Sequence, residues 1–91
     1  MTKVIITGQV EDSAKWEAGF RSHVDLFQAM SITKMEFTTT ATNEVAICGE
    51  TSDLNKYMEI FSSPATAEAM AFDGVKSETV KVFVLDKELK V

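Results

Sequence analysis

The chain has 91 residues, a formal net charge of −5 and no basic run, which counts against nucleic acid and anionic membrane surfaces, since both need clustered Lys and Arg. A hydrophobic content of 45% against 25% charged residues is that of one globular domain over residues 1–91, whose own core buries its apolar surface incompletely. No stretch approaches the roughly 18 continuous apolar residues that span a bilayer, the opening "MTKVIITGQV" lacks a signal-peptide pattern, and the single cysteine, Cys48, has no partner for an internal disulfide, so a reducing, cytoplasmic setting is expected.

The segment "KVIITGQV" is apolar and β-branched and predicts a first strand ending near Val10. In "EDSAKWEAGFRSHVDLFQAM" the period changes: Asp12 or Ser13 can cap, and Trp16, Gly19, Phe20, His23, Phe27 and Met30 fall on one side. The pattern predicts one amphipathic helix of about four to five turns, with Trp16 and His23 on nearly the same meridian. "ITKMEFTTT" alternates, with Met35 and Phe37 on one face, as a half-exposed strand does. A polar turn at Ala41, Thr42 and Asn43 leads into "EVAICGE", which is apolar on consecutive positions and pairs with the preceding strand as a hairpin.

"SDLNKYMEIFSS" starts on a Ser52 or Asp53 cap and places Leu54, Tyr57, Met58 and Phe61 on one stripe. "SSPATAEAMAFDGV" adds a fresh serine cap, Pro64 at the favoured first helical position and Gly74 as a stop, so the second helical region is broken in two at Ser62 to Pro64. "ETVKVFVLD" closes as a strand.

The order β-α-β-β-α-β predicts an α+β, ferredoxin-like fold with a four-stranded antiparallel sheet and both helical layers on one face. Val4 to Ile6, Val45 to Cys48 and Val82 to Leu85 are apolar on consecutive positions, so both sheet faces should need cover. The expectation is a homodimer whose two sheets pack face to face.

The element order, the Trp16–Phe20–His23 side of the first helix and the segment "FSSPATAEAMAFDGV" together resemble the dimeric α/β-barrel superfamily, which includes antibiotic-biosynthesis-type monooxygenases and many small bacterial proteins. The resemblance implies a ligand cavity between the helices and the sheet of each subunit, faced by His23. Monooxygenase members of the group combine a polar side chain from an early strand with a Trp and a His; the strand positions here hold Thr7 and Gln9, and no Asn.

Two readings of the site stand side by side. In one, Trp16, Phe20, His23 and Tyr57 line a cavity for a small apolar or aromatic ligand and His23 only orients it. In the other, His23 is a general acid or base of a cofactor-independent enzyme, since imidazole titrates near neutrality and a neutral histidine in an apolar cavity is a competent base. Catalysis needs a second polar group, for which Thr7, Gln9, Thr33 and Tyr57 are the candidates. No metal and no cofactor is expected, because one histidine and one cysteine fall short of a ligand set and no glycine-rich phosphate loop is present.

Overall fold

The computed structural model describes all 91 residues. Four strands, β1 (Thr2–Val10), β2 (Ile32–Thr39), β3 (Glu44–Thr51) and β4 (Val75–Val84), form one antiparallel sheet in the order β2-β3-β1-β4. Between β1 and β2 lie helices α1 (Ser13–Arg21) and α2 (Val24–Ala29), and between β3 and β4 lie α3 (Leu54–Phe61) and α4 (Pro64–Phe72). This is the ferredoxin-like α+β fold, with the helices against one face of the sheet.

The caps follow the sequence. Asp12 caps α1, its carboxylate accepting from the backbone N–H groups of Ala14 and Lys15, and Asp53 caps α3 by accepting from that of Lys56. Ser63 takes the N-cap position of α4 without a side-chain capping bond; its hydroxyl instead donates to Ile60 O, which ties the end of α3 to the start of α4. Asn43, at φ +61°, turns the β2–β3 hairpin and also braces α1, because its Oδ1 accepts from the Ser13 N–H at 3.1 Å.

The first helical region departs from expectation. It is not one continuous helix: the chain breaks at Ser22 and His23, and His23 becomes the N-cap residue of α2. Gly19 weakens the last turn of α1, and the Ser22 hydroxyl competes for the Gly19 carbonyl. The backbone tightens, with Ser22 N–H bonding Gly19 O and His23 N–H bonding Phe20 O, before α2 begins on the His23 carbonyl. Trp16 and His23 therefore do not share a helical meridian, although both reach the same interior.

That interior holds two adjoining clusters. Trp16 stacks on Phe20 at 4.6 Å between ring centroids, and Phe20 meets Phe27 at 4.9 Å and the β2 residue Phe37 at 5.0 Å. Beside them Val4, Met30 and Tyr57 are buried against Ile6, Leu26 and Phe61. The Thr51 hydroxyl accepts from the Asp53 N–H and lies 3.1 Å from Met30 O, so one buried polar atom joins the end of β3 to both helical layers.

On the outer sheet face, the register puts Ile5, Cys48 and Phe83 in one row and Thr7, Ala46 and Lys81 in the next. The consecutive apolar residues thus divide between two faces. The outward share is a compact patch centred on Ile5, Cys48 and the exposed Phe83, bordered by charged residues.

Candidate functional site

Gly74 decides where the site forms. It adopts φ +76°, a left-handed conformation that glycine accepts without steric cost. Its carbonyl accepts from the Glu11 N–H at 3.0 Å, so the stop of α4 is pinned to the end of β1. The residue before it, Asp73, is left as the C-cap of α4 with its carboxylate turned inward, and the residue is only 4% exposed.

Asp73 Oδ2 lies 2.9 Å from His23 Nε2, across the seam between the α1–α2 break and the end of α4. The other oxygen, Oδ1, is buried and has no hydrogen-bond partner. It packs directly on the backbone of α1 at Gly19, where an added Cβ would overlap the carboxylate. An ionised carboxylate only accepts, so with Asp73 ionised and the imidazole neutral this hydrogen bond carries the proton on Nε2 and leaves the lone pair on Nδ1. A histidine whose tautomer and orientation are set by a carboxylate is the arrangement that general-base catalysis uses.

The pair sits in the wall of a cavity of about 80 Å³ between the helices and the sheet. Trp16, Phe20, His23 and Tyr57 all line it, and Phe27, Met30, Met35 and Met70 complete much of a largely apolar wall. Methionine side chains give such a wall adaptability. Burial, and to a lesser degree Cys48, push the Tyr57 phenol up to about 12. Tyr57 is thus a neutral hydroxyl at physiological pH rather than a base.

The whole chain superposes on solved structures. It is similar to a protein of Bordetella bronchiseptica assigned as an antibiotic biosynthesis monooxygenase (TM-score 0.76, 18% identity, 97% of each chain covered). It is also similar to SnoaB, a cofactor-independent oxygenase of Streptomyces nogalater (TM-score 0.73, 9% identity, 99% of this chain and 95% of that one). A further antibiotic biosynthesis monooxygenase matches with a TM-score of 0.71 at 11% identity over 98% of this chain and all of that one. The fold is that of the antibiotic-biosynthesis monooxygenases. At these identities the likeness is one of fold, and no family model and no curated protein matches the sequence.

Within this fold, of the sequence-based partners for His23 only Tyr57 lines the cavity beside it with its side chain, and Thr7, Gln9 and Thr33 do not. Thr7 and Gln9 alternate to the outer side of β1, where the Gln9 N–H bonds Thr79. Thr33 is exposed and its hydroxyl donates to Glu50 O. The partner that does meet His23, Asp73, was missed because "FDGV" reads locally as a turn before a helix stop. The one available signal was an acidic residue directly before a helix-terminating glycine, and that marks an exposed turn far more often than a buried one.

Two outcomes follow from this packing. Gly19→Ala improves intrinsic helix propensity by about 1 kcal/mol, yet it should destabilise the protein by roughly 1–3 kcal/mol because the new methyl displaces a buried carboxylate. Urea denaturation reads the sign directly. Tyr57 is the only tyrosine, so phenolate absorbance reports it alone. Its folded-state pKa of about 12 stands above the ordinary value of 10.0, so this contribution to stability is complete below pH 10 and is lost as pH rises towards 12. Spectrophotometric titration should show ionisation delayed to about 12 or coincident with alkaline unfolding, and a simple titration centred at 10.0 in the folded protein would contradict the burial.

Proposed function

We propose that the protein binds a small apolar or aromatic ligand in the cavity and acts on it as a cofactor-independent enzyme of oxygenase or isomerase type. His23 Nδ1 is the general base and Asp73 the positioning residue. The observation that carries this reading is the 2.9 Å His23–Asp73 bond set in the wall of a largely apolar cavity. An ordinary core histidine needs one partner of any kind; this one has a buried carboxylate that supports the imidazolium formed when a substrate proton is taken.

The cavity supplies the second ingredient. An oxygenase without a cofactor must have its organic substrate deliver the electrons to dioxygen, and deprotonation makes the substrate electron-rich enough to do so. The balanced reaction converts a CH₂ centre and O₂ into a carbonyl and water, with His23 taking the first proton. If no oxidant takes part, return of the proton to a different atom of the same anion is an isomerisation. The fold shared with SnoaB supports the oxygenase form.

The largely apolar lining also suits the non-catalytic alternative, a ligand-binding module. The Thr66 hydroxyl is committed to Ile60 O at 2.6 Å, so the Tyr57 phenol is the buried hydroxyl of the lining that is left to donate to a developing anion. His23→Gln and Asp73→Asn separate the readings when binding is followed by fluorescence of Trp16, the sole tryptophan, and turnover by oxygen consumption over a panel of small quinols and phenols. In the enzymatic reading both variants still bind, while turnover falls by about a hundredfold or more for His23→Gln. Turnover that survives in His23→Gln removes His23 as the base, and a parent that binds without turnover leaves the module.

We also propose that two copies pair through their outer sheet faces around Ile5, Cys48 and Phe83. An apolar row that the chain's own helices leave uncovered, with charges at its border, supports this pairing. Light scattering should give twice the chain mass for the parent and a shift towards monomer for Phe83→Lys, and a monomeric parent at micromolar concentration would refute it.

A further inference from the structure

The buried hydroxyls of the helical layer are committed to the backbone, with one exception. Thr51 Oγ1 accepts from the Asp53 N–H and lies 3.1 Å from Met30 O, and Thr66 Oγ1 donates to Ile60 O at 2.6 Å. The Tyr57 hydroxyl makes no hydrogen bond within the protein, although the residue is only 2% exposed. Buried hydroxyls are normally paired, because an unpaired one is costly. Nor is this oxygen closed in: the unpaired side-chain oxygen that protein seals completely is Asp73 Oδ1, pressed against α1 at Gly19. With so little of Tyr57 reaching the outside, its hydroxyl opens onto the cavity that the residue lines.

The phenol is also held in place. Its ring packs with Val4 and Met30 and stacks on Phe61 at 6.2 Å between centroids, with 12° between the planes. Cys48, in the middle of β3, adds to the rise in the phenol pKa, which puts the oxygen towards the sheet end of the ring. A donor fixed before the ligand arrives loses little freedom on binding. His23 is the opposite case in both position and kind: its side chain is 23% exposed, where the wall reaches solvent, and with Asp73 ionised its Nδ1 accepts. The cavity therefore has a hydrogen-bond donor at its inner end, an acceptor at its outer end and a largely apolar wall between them.

We propose that Tyr57 is the residue that selects the ligand, by donating its hydroxyl to an acceptor oxygen carried on the inner end of a small ring. The ligand class is then a ring compound with a ketone or phenolic oxygen, inserted oxygen first, with the proton that His23 removes at the outer end. A hydrocarbon of the same shape leaves the Tyr57 hydroxyl unpaired and binds less well, since a site built to pair a polar group discriminates against the analogue that lacks it. This assignment rests on the cavity being a ligand site, as proposed above, and adds the polarity and orientation of what it accepts.

Two probes of nearly equal shape test it, titrated calorimetrically into the full chain: acetophenone, whose carbonyl only accepts, and α-methylstyrene, which has a methylene in place of that oxygen. The parent should prefer acetophenone by about tenfold. Tyr57→Phe keeps the packed ring and should abolish that preference by weakening acetophenone while sparing α-methylstyrene. Its melting temperature should not fall, and a fall would show the hydroxyl engaged within the fold and overturn the proposal. Infrared spectra supply a readout that packing alone does not move: the carbonyl stretch of bound acetophenone should lie below its value in hexane for the parent and return to it in Tyr57→Phe. A parent without preference, or a carbonyl band that is the same in parent and variant, overturns the role of Tyr57 and leaves the cavity reading standing. Failure of both probes to bind the parent overturns the cavity reading and this assignment with it.

Discussion

A carboxylate removed from water governs the helical layer of this protein. Taking an ion out of water costs several kcal/mol unless a partner and close packing compensate, and Asp73 has one polar partner, His23, and one contact surface, the bare backbone at Gly19. Both requirements bear on the same short stretch of chain. Gly19 has to lack a side chain so that α4 can end against α1, and His23 has to leave the helical path to meet the carboxylate, which is where α1 stops and α2 starts. The His23–Asp73 bond thus joins two halves of the fold that are 50 residues apart in sequence.

The same bond shapes the cavity. Had α1 and α2 run straight on, the aromatic face would be one helical stripe laid flat on the sheet. The break lets Phe20 touch Trp16, Phe27 and Phe37 together, and the rings wall off a space with the imidazole at its edge. Aromatic packing supplies rigidity and the methionines supply give, a combination that suits a small apolar guest. The unpaired Asp73 oxygen is the cost carried for this arrangement, and uncompensated polar atoms of that kind concentrate where a fold serves a function.

The sheet contributes through an irregularity. The register of β1 against β4 shifts between Thr7 and Gln9, and Thr79 pins the resulting Ser77–Val80 bulge by accepting from the Gln9 N–H. Bulges gather next to functional sites because they re-aim side chains without dismantling the sheet, and here the re-aimed residue is Val80.

By itself the sequence determined everything that depends on neighbours along the chain. The order of strands and helices, the Asp12 and Asp53 caps, the break before Pro64 and the Gly74 stop all come from local period and backbone preference, and the α+β fold follows from them by rules of handedness and connection. The inward direction of Trp16, Phe20 and Tyr57 was legible for the same reason, because each lies on an apolar stripe. What only the tertiary structure decided are the contacts between segments far apart in the chain: the pairing of His23 with Asp73, the dependence of that pairing on Gly19, the interruption of the first helix, and the shift of register between β1 and β4. None leaves a periodic trace. A buried aspartate before a glycine reads locally like any exposed turn, and Gly19 and Ser22, which loosen the first helix locally, do not reveal the partner 50 residues away that His23 meets at the break.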